Sequence, residues 1–420
     1  MTDISKSTTD SSIFVPDSRQ AWVRLSIAVL IGSIGSVGMW SVVVALPVVQ
    51  SEFGASRGGA SLAFTMVMLG FGAGGVLTGK ITDRFGIVTA ISAGVAMMAL
   101  GYIGIGYSVS LWQFVLLHFV VGFASSATFG PLMAEASHWF ERYRGLAVAI
   151  AASGNYVGGA VWPPVFNWGI QSYGWRPTHI VVGLFISVAM TVVVLALRSQ
   201  MHGAAQQSHV NAPPPRVDLR MSNNTLTMLL GIASIGCCVA MAMPQVHIVA
   251  YCGDLGYGAA RGAEMLSLML GFGIISRIGS GFLADRVGGL RTLLIGSIAQ
   301  GTALFLFLFF DSLTSLYVIS AMFGLFQGGI VPSYAIIVRE FFPASGAGMR
   351  VGLVITATLF GMALGGWLSG VLFDLTGSYE AAFVHGIAWN AVNVSIVAWL
   401  LLRLRRNDRR SGVFVTAARS

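Results

Sequence analysis

Gly271-Phe-Gly273-Ile-Ile-Ser-Arg277-Ile-Gly-Ser-Gly281-Phe-Leu-Ala-Asp285-Arg286-Val-Gly288-Gly-Leu-Arg291 sets one arginine inside an apolar, glycine-rich helical run and closes the run with a charged turn. A guanidinium keeps its charge at any reachable pH. Holding it at membrane depth costs about 3 kcal/mol on insertion scales and over about 10 kcal/mol in simulation. Such a residue faces a protein interior or a watery cavity, where it meets an anion. The stretch therefore reads as a membrane helix carrying a central cationic site for a small carboxylate.

The rest of the chain has the same character. Of 420 residues, 55% are hydrophobic and 10% charged, against roughly 25% charged in soluble domains. Long apolar runs dominate and alternating strands of about ten residues do not appear, so the class is all-α integral membrane. The net charge is +8, but the basic residues sit in loops and tails between apolar segments, which argues against a nucleic-acid partner. The 53 glycines suit a membrane bundle, where small residues let helices approach closely. Cys237, Cys238 and Cys252 share one apolar segment without metal-ligand spacing and read as small core residues. No metal or cofactor is expected. No cleavable signal peptide is apparent, and the polar residues 1–21 read as a disordered tail.

Twelve segments are long enough to span a bilayer: 22–49, 58–80, 87–107, 110–134, 145–169, 176–197, 225–251, 260–283, 290–310, 313–338, 346–374 and 380–402. The polar break 198–224, with Pro213, Pro214 and Pro215, divides them into six-span halves at 22–197 and 225–402, followed by a basic tail at 403–420. With both termini in the cytoplasm, 20 of the 24 Lys and Arg fall on the inner side. Only Arg57, Arg176 and Arg261 fall outside, and Arg277 lies within a span. The positive-inside rule therefore fixes a multi-pass protein with cytoplasmic termini.

The halves repeat. Gly79-Lys-Ile-Thr-Asp83-Arg84-Phe-Gly86 matches Gly281-Phe-Leu-Ala-Asp285-Arg286-Val-Gly288 at an offset of 202. Gly154-Asn-Tyr-Val-Gly158-Gly159 matches Gly361-Met-Ala-Leu-Gly365-Gly366 at an offset of 207. The first pair follows spans two and eight, and the second lies in spans five and eleven. Parallel halves with a midplane site between them are one plan for a transporter. The repeat places Gly75 opposite Arg277, so the repeat itself does not require the arginine.

With the Gly-x-x-x-Asp-Arg-x-Gly turn in both halves, the chain resembles the major facilitator superfamily over nearly its full length. The resemblance implies alternating access, with Asp83, Arg84, Asp285, Arg286 and Arg144 as gate residues. Where that family has a basic pair after Gly86, this chain has Ile87 and Val88. The segment from His138 through Arg144 to Gly154 is similar to the fifth-span signature of the monocarboxylate transporter and oxalate/formate exchanger group. Arg277-x-x-x-Gly281 is similar to the substrate arginine of those families, and Gln245-Val-His247-Ile-Val-Ala-Tyr251-Cys-Gly-Asp254 to bacterial members. The acidic residue that animal members carry one turn before the arginine is Gly273 here, their first-span lysine is missing, and so is the exchangers' lysine in span eleven. A single fixed cation suits a monoanion better than a dianion.

The other candidates are polar or aromatic groups in apolar spans. His247 and Tyr251 share a face of span seven beside Pro244, and the imidazole is the first choice for a coupling proton, with a hydrogen-bonded core histidine as the alternative. His118 in span four has weaker support. Asn155, Tyr156 and Trp162 in span five, Gln327 and Tyr334 in span ten, and Phe360 and Trp40 are cavity-wall candidates whose helix register is open. Gly74-Gly-Val-Leu-Thr-Gly79-Lys80-Ile81 falls one residue short of a phosphate-binding loop, because Ile81 stands where Ser or Thr is needed.

The expectation is a twelve-helix secondary transporter of a small organic monoanion in a bacterial inner (plasma) membrane. It is expected to be proton-coupled, monomeric and in contact with anionic lipid through Arg403 to Arg410. An exchanger or a drug or metabolite exporter of the same fold is the alternative. No cluster of nucleophile, base or metal ligands points to an enzyme.

Overall fold

A computed structural model of the chain describes residues 16–199, 219 and 221–411, and every element in it is helical. Among the described residues, twelve helices are long and apolar enough to cross a membrane. They are α1 (Arg19–Glu52), α2 (Arg57–Phe85), α3 (Ile87–Gly106), α4 (Leu111–Trp139), α5 (Arg144–Tyr173), α6 (Trp175–Arg198), α7 (Asn223–Asp254), α8 (Ala259–Val287), α9 (Gly289–Phe307), α10 (Leu313–Phe341), α11 (Gly346–Thr376) and α12 (Glu380–Asn407). Several run past the apolar segments because charged turns continue the helix. The first opens at Arg19, where Ser18 accepts from the Ala21 N–H. Residues 1–15, most of the 198–224 connection and residues 412–420 lie outside the described residues.

Six helices form each half, and the halves are built alike down to single contacts. Gly86 ends α2 at φ 84°, ψ 159° and Gly288 ends α8 at φ 85°, ψ 159°, a backbone region that essentially only glycine occupies. A Cβ on Gly122 would lie 2.1 Å from the Val67 carbonyl oxygen, and one on Gly324 would lie 2.1 Å from that of Met269. Both pairs keep the offset of 202. Gly158 meets the Ser33 carbonyl, and its repeat partner Gly365 meets that of Val239, with Cβ distances of 2.1 and 2.5 Å. Thus α4 lies on α2 as α10 lies on α8, and α5 on α1 as α11 on α7. The breaks repeat as well: α4 is interrupted by a 3₁₀ turn at Ser126–Thr128 and α10 between Gln327 and Ile330. By contrast α7 runs through Pro244 without interruption.

These contacts admit no side chain, because the neighbouring atom is backbone. Gly122→Ala and Gly324→Ala are each expected to destabilise the protein by about 1–3 kcal/mol through forced separation of the helix pair. The two effects should add, since they fall in different halves. Thermal unfolding of the purified single and double variants checks this.

The halves meet along two seams, α2 with α11 and α5 with α8. Near the Arg57 end the seams are tight. A Cβ on Gly58 would touch Val371, one on Gly366 would touch Phe64, and one on Gly159 would touch Leu270. Toward the end that carries the Asp-Arg turns they part. Gly79, Gly145, Gly281, Gly346, Gly348 and Gly352 have nothing within 4 Å of a Cβ position. The hydrogen bonds between the halves gather at the Arg57 end and at mid-depth, so the Arg57 end is the closed end and the Asp83–Asp285 end the open one.

Candidate functional site

Arg277 sits where the α5–α8 seam begins to part. It is 7% exposed. Its Nη1 donates to the Ala152 carbonyl of α5, in the other half, at 2.9 Å. Its Nε faces the Gly328 carbonyl at 3.5 Å, at the break in α10. The guanidinium carbon lies 4.2 Å from the centroid of the Tyr156 ring, a cation–π contact. Gly273, one turn earlier, admits that ring: a Cβ there would be 2.6 Å from Tyr156 Cε1. Among the described residues no carboxylate pairs with Arg277. Its partners are carbonyls and an aromatic face, all neutral.

Asn155 is brought close to this place. Its Oδ1 accepts from Trp40 Nε1 at 3.0 Å and its Nδ2 faces Met39 Sδ at 3.6 Å. With Gly35, Met39, Phe71 and Thr128 it bounds a cavity with room for about one water. Gln327 is buried beside the α10 break, and its Oε1 accepts from Gln245 Nε2 at 2.8 Å. The remaining Gln245 Oε1 and Gln327 Nε2 are buried without a partner, so Gln245 joins Gln327 as a buried polar group of the second half. Trp162 instead ties α5 to α1 through the Ser33 carbonyl at 2.9 Å.

Two of the expected cavity residues, His118 and Tyr334, lie in the core of their own half. His118 is wholly buried inside the first half, with Nδ1 on its own Phe114 carbonyl at 2.7 Å and its ring packed against Phe114 and His179. Tyr334 points into the core of the second half, where it donates to Cys237 Sγ and accepts from Asn393 Nδ2 at 2.6 Å. Phe360 is 51% exposed and lies off the faces of α11 that meet α2 at Leu359 and α7 at Gly361. Arg144 does not reach across the halves: its Nε donates to the Ser137 carbonyl at 2.7 Å and braces the α4–α5 turn. Asp17 accepts from the Arg142 N–H at 3.0 Å at the same turn. An apolar helix flanked by core and lipid gives no contrast from which register could be read.

Asp83, Arg84, Asp285 and Arg286 are exposed at the open end, and none forms an ion pair among the described residues. The closed end is held by Arg57, Asp254, Asp374 and Tyr379, none of which the sequence singles out as a gate residue. Arg57, at the start of α2, forks onto Asp254 at the end of α7, with Nη1 to Oδ2 at 3.0 Å and Nη2 to Oδ1 at 3.1 Å. Arg57 also donates to the Tyr379 hydroxyl at 2.9 Å and lies 4.4 Å over the Phe373 ring. Asp374, at the end of α11, accepts from the backbone N–H groups of Arg57 and Gly58, both at 2.7 Å. A carboxylate there also complements the positive end of α2. Burial raises the Tyr379 phenol above its usual range, with Arg57 pulling the other way, so the hydroxyl keeps its proton.

His247 and Tyr251 stand under this clamp. His247 Nδ1 is 3.1 Å from the Tyr379 hydroxyl and Nε2 is 2.8 Å from the Gly366 carbonyl. Tyr251 packs edge-on to Tyr379 at 5.5 Å. The histidine thus belongs to the closed end and does not share the guanidinium's surroundings.

Comparison with known proteins agrees with this architecture. The chain is 27% identical to monocarboxylate transporter 13 of Rattus norvegicus over 77% of its own length and 75% of that protein. It is 24% identical to the agnestins efflux protein of Paecilomyces divaricatus, over 81% of this chain and 76% of the other. Among solved structures, a bacterial homolog of the human lysosomal transporter Spinster superposes with a TM-score of 0.67 at 14% identity, covering 96% of this chain and 99% of that one. The family model of the Major Facilitator Superfamily matches residues 28–313 and 266–417. The chain is a member of the Major Facilitator Superfamily and a multi-pass transporter of small molecules.

Proposed function

We propose that this transporter carries a small organic monoanion, of the monocarboxylate type, across a bacterial inner membrane by proton-coupled alternating access. The observation that carries the reading is the buried Arg277 guanidinium, held by neutral partners where the two halves part. A carboxylate can take the fork that the Ala152 and Gly328 carbonyls now occupy, and charge-assisted bonds are stronger than those to neutral carbonyls. Tyr156, Asn155 and the Gln245–Gln327 pair would supply the walls. The likeness to monocarboxylate transporter 13 supports the substrate class. The Lys and Arg bias puts the open end in the cytoplasm, so the described state faces inward. In it the Asp83–Arg84 and Asp285–Arg286 turns are released. On outward opening they would re-form the inner gate.

The likeness to an efflux protein favours a second reading, in which Arg277 is only a tie between the halves and the cargo is neutral. Thermal stability against a panel of carboxylates separates the two. A ligand at about 100 times its Kd stabilises the native state by about 2.7 kcal/mol. At least one monocarboxylate is expected to raise the melting temperature. A shift given only by neutral compounds, insensitive to anionic competitors, rejects the anion reading.

A further inference from the structure

The contacts at the closed end form one continuous chain: Asp254 to Arg57, Arg57 to the Tyr379 hydroxyl, that hydroxyl to His247 Nδ1, and His247 Nε2 to the Gly366 carbonyl. The chain has a direction. Tyr379 accepts from Arg57 Nη1, and its single proton is then free to go to His247 Nδ1. His247 Nε2–H donates to Gly366, since a carbonyl can only accept. The imidazole in this arrangement is neutral, with its lone pair on Nδ1 holding Tyr379 in place.

We infer that Tyr379 is a positioning residue that ties the protonation of His247 to the outer clamp, so that closure of the Arg57 end requires the imidazole to be neutral. A proton on Nδ1 removes the acceptor that Tyr379 donates to and turns an N–H toward the hydroxyl that already receives Arg57. It also places a second positive charge near the guanidinium. The charged and titratable groups facing the ring are Arg57 from α2, Asp374 from α11, Tyr379 from the α11–α12 loop, and Tyr251 and Asp254 on α7 itself. Asp374 favours the imidazolium, but it is engaged by the α2 N–H groups. Arg57 opposes the imidazolium and is the group the clamp depends on. Acidification on the outer side therefore opens the outer end, and neutral His247 lets it close.

This inference rests on alternating access but not on the identity of the cargo, and its test uses no substrate. Spin labels are placed at Ser51→Cys and Leu375→Cys, on the outer ends of α1 and α11, in full-length protein with the three native cysteines replaced by alanine. Distances are read by electron double resonance at about pH 5 and about pH 8, either side of imidazole titration. In the wild-type background the long-distance, open population is expected to be about tenfold larger at the lower pH, the scale of a tenfold preference between two states. His247→Gln keeps a donor for Gly366 and an acceptor for Tyr379, and is expected to stay closed at both pH values. Tyr379→Phe is expected to lose the pH response, and keeps the test open should the glutamine variant not fold. No pH response in the wild type overturns the inference. A response retained in His247→Gln assigns it to Asp254 or Asp374, and one retained in Tyr379→Phe removes the tyrosine from the coupling. Either also overturns it.

Discussion

Arg277→Ala is expected to abolish carboxylate binding and uptake while leaving the empty protein about as stable as before. Two charge-assisted hydrogen bonds from the fork contribute roughly 1.5–3 kcal/mol each. Their loss weakens binding by about 10²- to 10⁴-fold. The empty protein behaves differently. It loses the bond to the Ala152 carbonyl and the stack on Tyr156, but it also sheds a buried guanidinium with no carboxylate partner, which is costly at membrane depth. These two changes offset each other. Arg277→Lys keeps the charge without the planar fork, so it should recover binding only in part. Titration calorimetry and thermal unfolding on the same samples separate binding from folding. Unfolding of Arg277→Ala without ligand would make the arginine a structural tie and sink the substrate role.

Arg57→Gln is expected to shift the bundle toward a state open at the Arg57 end. The variant loses the fork onto Asp254 and the bond to Tyr379, while the backbone caps on Asp374, the Thr65 hydroxyl on the Ala363 carbonyl and the Gly58–Val371 packing remain. Breaking a buried ion pair costs about 3–5 kcal/mol. Arg57 and Asp254 are 13% and 38% exposed, so water reclaims much of that, and roughly 1.5–3 kcal/mol is the reasonable scale. The open-to-closed ratio should rise by roughly ten- to a hundredfold. Alkylation of a single cysteine at Val371, the side chain packed on Gly58, reports the seam directly. A labelling rate unchanged by Arg57→Gln would mean that the clamp does not hold the outer end. Asp374→Asn should have the smaller effect, because an amide oxygen still accepts from the α2 N–H groups.

The twelve spans and the internal repeat were readable because hydropathy and glycine spacing are local signals. The match of Gly122 to Gly324 follows the same offset as the loop motif and extends it into the packing. Arg277 stood out because a charge in an apolar run is rare. Register was not readable. The residues Phe360, Tyr334 and His118 lie in helices that are apolar toward both lipid and core, so no pattern separates a cavity wall from a lipid face. The clamp was hidden for another reason. Arg57, Asp254 and Asp374 each look like ordinary charges at a membrane edge, and 197 and 317 residues separate Arg57 from its two partners. Only folding brings them together. Tyr379 carried no signal either, since a tyrosine at a span end is what an interfacial aromatic belt supplies.

The neutral surroundings of Arg277 bear on how a membrane potential acts on the cycle. On the monoanion reading the arginine–carboxylate pair sums to zero and the coupling proton restores one positive charge to the loaded carrier, the same charge that the empty centre carries. An elementary charge crossing the full field is worth about 2.3 kcal/mol per 100 mV. Whatever fraction of the field the centre crosses as the halves rock, voltage then acts equally and oppositely on the loaded and the empty steps, and the full cycle moves no net charge. A dianion taken up with one proton would leave the loaded step neutral and put all the voltage dependence on the return of the empty carrier. Charge movement recorded with and without cargo would therefore report the valence of the substrate before its chemical identity is known.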